Sequence, residues 1–263
     1  MKIGIFDSGL GGLIAMRAVV ETLPTYDYVY IGDTANLPYG SRSREKILQY
    51  TEKCIDYLFR EHDCKIVLMA CNTAAIAALR YLQTEYLPKN YPDRRVLGII
   101  IPTIEAALET GAQDIGLIAT VSTTNSKVYE KELQKINPNI KISSVPAPLL
   151  VPLIEYDGDK YAKDIIKDYL AKLPPVKVLV LGCTHYPMYK DLFRKMLPDT
   201  KVISQDEILP EKVADYLARH DEIRTKLSHG GTKTFIFTDI TPNYVATACR
   251  LFGHKIAFTK TEL

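Results

Sequence analysis

The sequence lacks three features that would place it in other broad classes of protein. No apolar run reaches the roughly 18 residues that a transmembrane helix needs, which argues against a membrane-spanning protein. The formal net charge is only +2 and is not clustered, so the electrostatic footprint of a nucleic-acid-binding protein is missing. The five cysteines are odd in number and form no C-x-x-C pair, which argues against a disulfide framework and favours a reducing compartment.

The amino-terminal segment also lacks the apolar core of a secretory signal peptide. Met1–Asp7 reaches an acidic residue too early to hold one. We therefore expect a cytoplasmic protein that binds neither nucleic acid nor a membrane. Hydrophobic residues make up 47% of the 263 residues and charged residues 24%, which suffices for a sizeable core in one large domain or two ordinary ones.

What the sequence does contain is a repeated pattern of apolar runs that end at a cysteine. Cys71 and Cys183 each end such a run and are followed by small polar residues. Runs of this kind predict strands buried on both faces of a parallel sheet, whose carboxyl ends open towards ligands. The two cysteines are 112 residues apart, as are Gly4 and Gly116. Self-similarity at one offset predicts a doubled half-molecule.

Strand-like and helix-like segments alternate along almost the whole chain, which predicts parallel sheets with helices on both faces. We therefore predict an α/β fold of two pseudo-repeated, doubly wound domains with mainly parallel sheets and an active site in the cleft between them. The segment after about residue 210 has no counterpart in the repeat, so we expect it to return to the first domain. The predicted first domain is residues 1–98 plus 210–263, and the second is residues 99–209.

Local signals add four predictions about connections and edges. Prolines and polar residues predict an irregular connector over residues 86–94, and an apolar run predicts a strand over 96–101. A helix is predicted over 211–220, beginning after Pro210. A short last strand is predicted over 256–258.

Asp7 and Ser8 stand at the end of the first predicted strand, before a glycine-rich turn and the start of a helix. A helix amino terminus favours anions such as a substrate carboxylate. The alternative is that Asp7 only caps the helix. The spacing is not G-x-G-x-x-G, because Ile14 occupies the last glycine position, so we reject a dinucleotide site.

Cys71 and Cys183 are candidates for packing, redox, metal-binding or catalytic roles. Metal binding is poorly supported, because only the pairs His62 with Cys64 and Cys183 with His185 bring ligand types close together. A covalent cysteine hydrolase would use one cysteine and leave the second copy unexplained. Two matched cysteines facing one cleft suit a reaction that needs a base and an acid on opposite faces of a carbon atom.

Neighbouring polar residues offer the means to move protons and to hold a charged substrate. A free cysteine has a pKa of about 8.5, so a thiolate has to be favoured by positive neighbours, N–H groups or a helix start. Asp7 and His185 are placed to exchange protons with the thiols. Asn72, Thr73 and Thr184 could bind the carboxylates and the amine of a substrate. By pattern alone, in contrast, Glu155 is a surface acid.

Four stretches together resemble those of the glutamate racemases, cofactor-independent enzymes of the aspartate/glutamate racemase superfamily. In chain order they are Phe6–Leu13, Asp33–Gly40, Ala70–Ala74 and Gly182–Pro187. No single stretch is decisive, but their order along nearly the whole chain is specific. The resemblance implies two α/β domains with the site between them, in agreement with the repeat.

The resemblance also implies roles for the matching residues. Cys71 and Cys183 would be the two acid/base thiols. Asp7 would assist the first thiol, whereas His185 and Glu155 would assist the second. The residues implied to hold the amino acid are Asp7, Ser8, Tyr39, Gly40, Asn72, Thr73, Thr120, Thr123, Thr184 and His185. Neither a metal nor a cofactor is implied.

The implied reaction is the interconversion of L- and D-glutamate by proton transfer at Cα, which would supply D-glutamate for peptidoglycan precursors, in a homodimer. Three alternatives stay open. They are a racemase for aspartate or another small acid, a non-catalytic amino-acid binder, and a redox protein whose two cysteines reach disulfide distance. The chain departs from the family pattern at Ala119, at Ser204–Asp206 and after residue 228, and none of these departures touches the cysteines.

Overall fold

The computed structural model describes residues 1–263 as two parallel β-sheets flanked by helices. The strands are β1 Lys2–Asp7, β2 Tyr28–Gly32, β3 Cys64–Met69, β4 Arg95–Gly98, β5 Asp114–Ala119, β6 Lys141–Pro146, β7 Val178–Gly182, β8 Lys201–Ser204, β9 Lys233–Phe237 and β10 Thr259–Lys260. The α-helices are α1 Gly12–Thr22, α2 Arg44–Arg60, α3 Asn72–Tyr81, α4 Leu87–Asn90, α5 Ile100–Leu108, α6 Val121–Ser126, α7 Val128–Ile136, α8 Leu150–Glu155, α9 Ala162–Leu170, α10 Lys190–Met196, α11 Gln205–Arg219, α12 Asp221–Arg224 and α13 Pro242–Phe252. No helix has both the length and the apolar character needed to cross a membrane.

The two sheets share one strand plan. The first has the order β10-β9-β2-β1-β3-β4 and the second β6-β5-β7-β8. Strands β1 to β4 therefore occupy the same relative places as β5 to β8, and every pairing in both sheets is parallel. The doubled α/β architecture predicted from the 112-residue spacing is confirmed.

The glycines that revealed the repeat have a packing role in both copies. A Cβ atom at Gly4 in β1 would lie 2.9 Å from Val67 Cγ2 and 3.1 Å from Cys64 Sγ on the neighbouring strand. A Cβ atom at Gly116 in β5 would lie 2.8 Å from Leu173 Cδ2. Each glycine thus lets large apolar side chains cover the central strand, since interiors leave no room for extra atoms.

The tail of the chain extends the first sheet. Strand β9 pairs with β2 from Tyr28 opposite Lys233 to Gly32 opposite Phe237, and β10 pairs with β9. Helix α13 packs against α1. This pairing supports a discontinuous first domain, whose boundaries near residues 98 and 210 stay a prediction.

Two local predictions were wrong between β3 and α5. The first part of the segment predicted as an irregular connector is helical, because α3 continues through a π-helical turn at Leu82–Tyr86 into α4, and only residues 91–94 are irregular. Pro88 lies in the first turn of α4, where the missing N–H is tolerated. The strand predicted over 96–101 ends at Gly98, and α5 begins at Ile100. A buried helix that follows a buried strand extends the apolar run, so hydrophobicity alone does not mark the boundary.

Two predictions about the tail were also inaccurate. Helix α11 begins at Gln205 and contains Pro210 in its second turn, whereas the predicted helix began after the proline. The proline removes one backbone hydrogen bond, and burial of Leu209 and Val213 beside it offsets that loss. The last strand is Thr259–Lys260 instead of residues 256–258.

Candidate active site

The central strand of the first sheet ends at Asp7, whose side chain is fully buried. Its Oδ1 atom accepts a hydrogen bond from the Gly9 N–H at 2.9 Å, and its Oδ2 atom has no hydrogen-bond partner. Helix α1 begins without a side-chain cap, so Asp7 is not its N-cap. Burial raises the pKa of Asp7 above the usual carboxyl value, although the charge of His185 opposes this effect. The carboxyl is therefore suited to holding a proton.

Cys71 follows the adjacent strand β3 and caps helix α3. Its Sγ atom accepts a hydrogen bond from the Ala74 N–H at 3.4 Å and lies 3.2 Å from Ser8 Oγ. Burial raises the pKa of the Cys71 thiol to about 12, the charge of Asp7 adds to this, and the two hydrogen bonds oppose it. Without a bound substrate, Cys71 is therefore a neutral thiol at neutral pH.

Cys183 follows β7, the equivalent strand of the second sheet. His185 Nδ1 lies 3.9 Å from its Sγ atom, and His185 Nε2 lies 2.9 Å from Glu155 Oε1. Burial by itself would lower the pKa of His185. The hydrogen bonds to Cys183 and Glu155 and their negative charge outweigh burial and raise this pKa well above its usual value. A protonated imidazole thus lies between the carboxylate and the sulfur.

Glu155 is not the surface acid that its sequence pattern alone indicated. It ends helix α8 with only 7% of its surface exposed, and its carboxylate points to His185. The local pattern missed this because the helix is only six residues long and its buried acid has a partner on another element.

The glycine-rich turn after β1 joins the two sides of the site. A Cβ atom at Gly11 would lie 2.5 Å from Thr184 Oγ1 and would overlap the His185 ring. Only glycine allows the turn to approach these two residues of the second sheet so closely. The charge of His185 also reaches Asp7, whose pKa it lowers.

A buried phenol lies near these groups. The Tyr30 hydroxyl donates a hydrogen bond to the Gly9 carbonyl at 2.8 Å. Burial raises the pKa of Tyr30 well above its usual value, and the charges of Asp7 and Glu155 raise it further. Both thiols are free in this cluster, and neither forms a disulfide.

Three threonines from the two halves meet beside the cysteines. Thr73 Oγ1, in the first turn of α3, lies 3.4 Å from Thr120 Oγ1. Thr120 caps α6, donating to Thr123 Oγ1 at 3.0 Å and accepting from the Thr123 N–H at 3.2 Å. These hydroxyls and N–H groups offer donors to a carboxylate.

The predicted substrate loop packs against α6 through residues Tyr39–Ser41. The buried Tyr39 hydroxyl donates to Asp33 Oδ2 at 2.7 Å, and Thr238 donates to Asp33 Oδ1 at 2.7 Å. Gly40 is exposed, and no atom lies within 4 Å of the position of its missing Cβ. Asp33 therefore fixes the loop to Thr238 at the end of β9, and the Tyr39 hydroxyl hydrogen-bonds to the same carboxylate.

Sequence reasoning missed a buried polar network behind Cys71. Asn72 Nδ2 donates to Gln205 Oε1 at 2.9 Å, and Asn72 Oδ1 accepts from the Tyr129 hydroxyl at 2.8 Å. Gln205 Nε2 also donates to Thr103 Oγ1 at 3.2 Å. The Asn72 side chain is thus engaged with the second half of the chain. The only sequence signal was the departure from the family pattern at Gln205.

The two cysteines are almost fully enclosed. Cys71 is 7% exposed and Cys183 is 6% exposed. Cavities of about 400 Å³ beside Leu217 and about 260 Å³ between α5 and α11 are not lined by either cysteine. No group of three or more His, Cys, Asp or Glu side chains is arranged to hold a metal ion.

Comparison with known proteins agrees with this geometry. The sequence profile of the Asp/Glu/hydantoin racemases matches residues 4–208. The chain belongs to the Asp/Glu/hydantoin racemase family. It is 34% identical over 279 aligned positions to the glutamate racemase of Dinoroseobacter shibae, which covers 100% of this chain and 99% of that protein.

Solved structures of this family share the whole fold. A glutamate racemase isoform from Bacillus anthracis matches with a TM-score of 0.89 at 30% identity, covering 100% of this chain and 97% of that one. The glutamate racemase from Francisella tularensis, solved in complex with D-glutamate, matches with a TM-score of 0.87 at 29% identity, covering 99% and 97%. The racemase resemblance and the two-sheet α/β fold are both confirmed.

Proposed function

We propose that the protein interconverts L- and D-glutamate by moving the Cα proton between Cys71 and Cys183. The observation that carries this proposal is the pair of matched, buried cysteines, each at a strand end and each in contact with a polar side chain, Ser8 for Cys71 and His185 for Cys183. Similarity over the full chain to the glutamate racemases of Dinoroseobacter shibae and Bacillus anthracis supports glutamate as the substrate. The D-glutamate complex of the Francisella tularensis enzyme supports it further.

In the proposed reaction, a thiolate on one face of the substrate removes the Cα proton and a thiol on the other face donates one. The substrate therefore loses and gains one proton, and the two sulfurs exchange protonation states. Cys71 is a thiol at rest because of its raised pKa, so it acts as a base only after its proton moves to Asp7. The raised pKa of Asp7 suits that transfer.

On the opposite face, His185 and Glu155 serve Cys183. A positive charge close to a cysteine stabilises the thiolate, and the protonated imidazole lies 3.9 Å from the sulfur. Glu155 keeps the imidazole charged and oriented through its 2.9 Å contact with Nε2. The catalytic group that we propose is therefore Cys71, Cys183, Asp7, His185 and Glu155.

The α-proton of an amino acid is a very weak acid, so the site has to stabilise the carbanion-like transition state. Fixed donors in a water-excluded cluster do this better than water does. The residues that we propose to hold the two carboxylates and the amine are Asp7, Ser8, Tyr39, Gly40, Asn72, Thr73, Thr120, Thr123, Thr184 and His185. Separation and closure of the halves would admit glutamate and then expel water.

The resemblance to glutamate racemases also supports a biological role. We propose that the enzyme works as a cytoplasmic homodimer and supplies D-glutamate for peptidoglycan precursors. The doubled fold does not itself require a second copy, because both cysteines come from one chain.

The decisive experiment is to incubate the purified protein with L-glutamate in deuterated water, following optical rotation and the Cα proton signal. We expect rotation to decay to zero while deuterium enters at Cα. An amino-acid binder without catalysis would leave both signals unchanged. Faster racemisation of L-aspartate than of L-glutamate in a parallel reaction would show that aspartate is the substrate. Loss of free thiols on mild oxidation would favour the redox alternative.

A further inference from the structure

Helix α13, in the tail of the chain, directs three polar side chains towards the end of α8. Asn243, Thr247 and Arg250 are spaced so that they lie on one face of the helix. Asn243 Nδ2 donates to the backbone carbonyl of Glu155 at 3.2 Å, and Thr247 Oγ1 donates to the same carbonyl at 3.1 Å. Arg250 donates to the backbone carbonyl of Ile154.

These contacts satisfy groups that α8 cannot satisfy itself. The last four carbonyls of any helix lack partners within the helix, and α8 has only six residues. Arg250 also pairs with Asp159 at 2.9 Å and with Asp157 at 3.4 Å, just beyond the helix end. Helix α13 therefore holds both the last turn of α8 and the segment that follows it.

Glu155, whose backbone carbonyl accepts these hydrogen bonds, is the residue whose carboxylate contacts His185. Glu155 Oε1 lies 2.9 Å from His185 Nε2, and the Nδ1 atom of the same ring lies 3.9 Å from Cys183 Sγ. Thr247 is only 3% exposed, so its hydroxyl has no water to replace the Glu155 carbonyl. A displacement of a catalytic group by about 1 Å costs on the order of a hundredfold in rate, so the backbone at Glu155 has to be held firmly.

We propose that Thr247, with Asn243 and Arg250, positions Glu155 for proton transfer at Cys183. The tail helix fixes the backbone from which the carboxylate reaches the imidazole, and the imidazole is thereby kept facing the sulfur. This inference rests on the proposed glutamate racemase function and extends it to residues of the tail, where the resemblance to the family is weakest.

The test compares two substitutions at one position. Thr247→Val keeps the shape and removes the hydroxyl, whereas Thr247→Ser keeps the hydroxyl. We expect Thr247→Val to lower kcat for glutamate racemisation about tenfold with KM within about twofold of wild type, because a positioning defect acts on the transition state. Thr247→Ser should restore kcat to within about twofold. A Thr247→Val enzyme with wild-type kcat, or a Thr247→Ser enzyme as slow as Thr247→Val, would overturn the proposal.

A double-mutant cycle separates positioning from general loosening of the fold. If Thr247 acts through Glu155, adding Thr247→Val to Glu155→Gln should lower kcat by less than about twofold further, since residues that act as a unit are not additive. A full tenfold further loss would show that Thr247 acts by another route. Should Thr247→Val not fold, Asn243→Ala removes the second donor to the same carbonyl. As a single substitution, Asn243→Ala should lower kcat, whereas in the Glu155→Gln background it should lower kcat no further. Any other pattern overturns the proposal.

The two hypotheses fail in different ways. If the wild-type protein racemises no glutamate in deuterated water, the proposed function is wrong. If the wild type is active and Thr247→Val is equally active, only the role of the tail helix is wrong.

Discussion

The two cysteine-bearing strand ends occupy equivalent places in the two sheets, yet their neighbours differ. Cys71 caps an α-helix and has the Asp7 carboxyl and the Ser8 hydroxyl close by. Cys183 is followed by a 3-10 turn and faces an imidazole held by a carboxylate. At the offset of 112 residues, Ala119 takes the place of Asp7. The repeat therefore duplicates the positions of the sulfur atoms and not their electrostatic surroundings.

This difference shows that one repeated fold gives two equivalent thiols unequal electrostatic surroundings. Burial and the charge of Asp7 raise the pKa of the first thiol, whereas a protonated imidazole lies 3.9 Å from the second sulfur. A two-base racemisation needs one proton acceptor and one proton donor at the start of each turnover. We infer that the unequal neighbours, more than the repeated strands, make the site ready for that reaction.

The most severe way to break the comparison is to remove either sulfur. Cys71→Ala and Cys183→Ala should each lower the rate of glutamate racemisation about 10³-fold, since each loses one acid/base group. Optical rotation of L-glutamate measures this loss. Cys249→Ala removes a half-buried thiol outside the site and is the matched control, which should keep wild-type activity. Near wild-type racemisation by either site variant would disprove the two-base scheme.

Asp7→Asn tests the Cys71 side, because it keeps the shape of the side chain and its bond from the Gly9 N–H. Racemisation should fall about a hundredfold, since the amide cannot take the proton of the thiol. Thermal unfolding should show no loss of stability at neutral pH.

The sign of that stability effect follows from linkage. The pKa of Asp7 is raised in the folded state, so the stability due to its neutral form is present at low pH and is lost as the pH rises through that pKa. Above the ordinary carboxyl pKa the wild type therefore carries a cost for this buried group, whether it is charged or protonated, and the amide avoids that cost. A clear drop in melting temperature would contradict this account of Asp7.

Glu155→Gln tests the surroundings of Cys183 through the pH dependence of racemisation. The hydrogen bond and charge of Glu155 raise the pKa of His185 against the effect of burial, so their loss should lower it. The imidazolium is then lost at lower pH than in the wild type. We expect the alkaline limb of the kcat/KM profile to move to lower pH, with about a tenfold loss of activity at mildly alkaline pH.

A surface acid provides the control for that experiment. Glu105 pairs with Lys212 at the exposed surface, so Glu105→Gln should leave the pH profile unchanged. If the alkaline limb of the Glu155→Gln profile coincides with that of the wild type, His185 does not govern it.

The smallest expected effect concerns the hydrogen-bond network of Asn72, Gln205 and Tyr129 behind Cys71. Tyr129→Phe removes the donor to Asn72 Oδ1 and leaves the Gln205 amide as its partner. We expect about 1 kcal/mol lower free energy of unfolding in urea, with racemisation within about fivefold of wild type. A loss of activity as large as that of Cys71→Ala would show that this network takes part in catalysis and does not only stabilise the fold.

Much of the fold followed from the sequence because its signals are local and periodic. Buried apolar runs marked the strands, and the paired glycines at 4 and 116 revealed that the sheets repeat. The errors fell where two local rules compete, as at Pro210, which indicated a helix boundary and instead lies within α11. There, burial of the helix face outweighed the lost backbone hydrogen bond.

By itself the sequence determined where the two cysteines lie along the chain and that each ends a buried strand, because burial of an apolar run depends mainly on neighbouring residues. Only the tertiary structure decided which groups surround each sulfur. Glu155 reaches His185 across 30 positions, Thr247 reaches Glu155 across 92, and Gln205 reaches Asn72 across 133. Such contacts depend on how helices pack around two sheets. The same packing raises the pKa values of Asp7 and Cys71 by excluding water, and it raises that of His185 by placing Cys183 and Glu155 beside the ring.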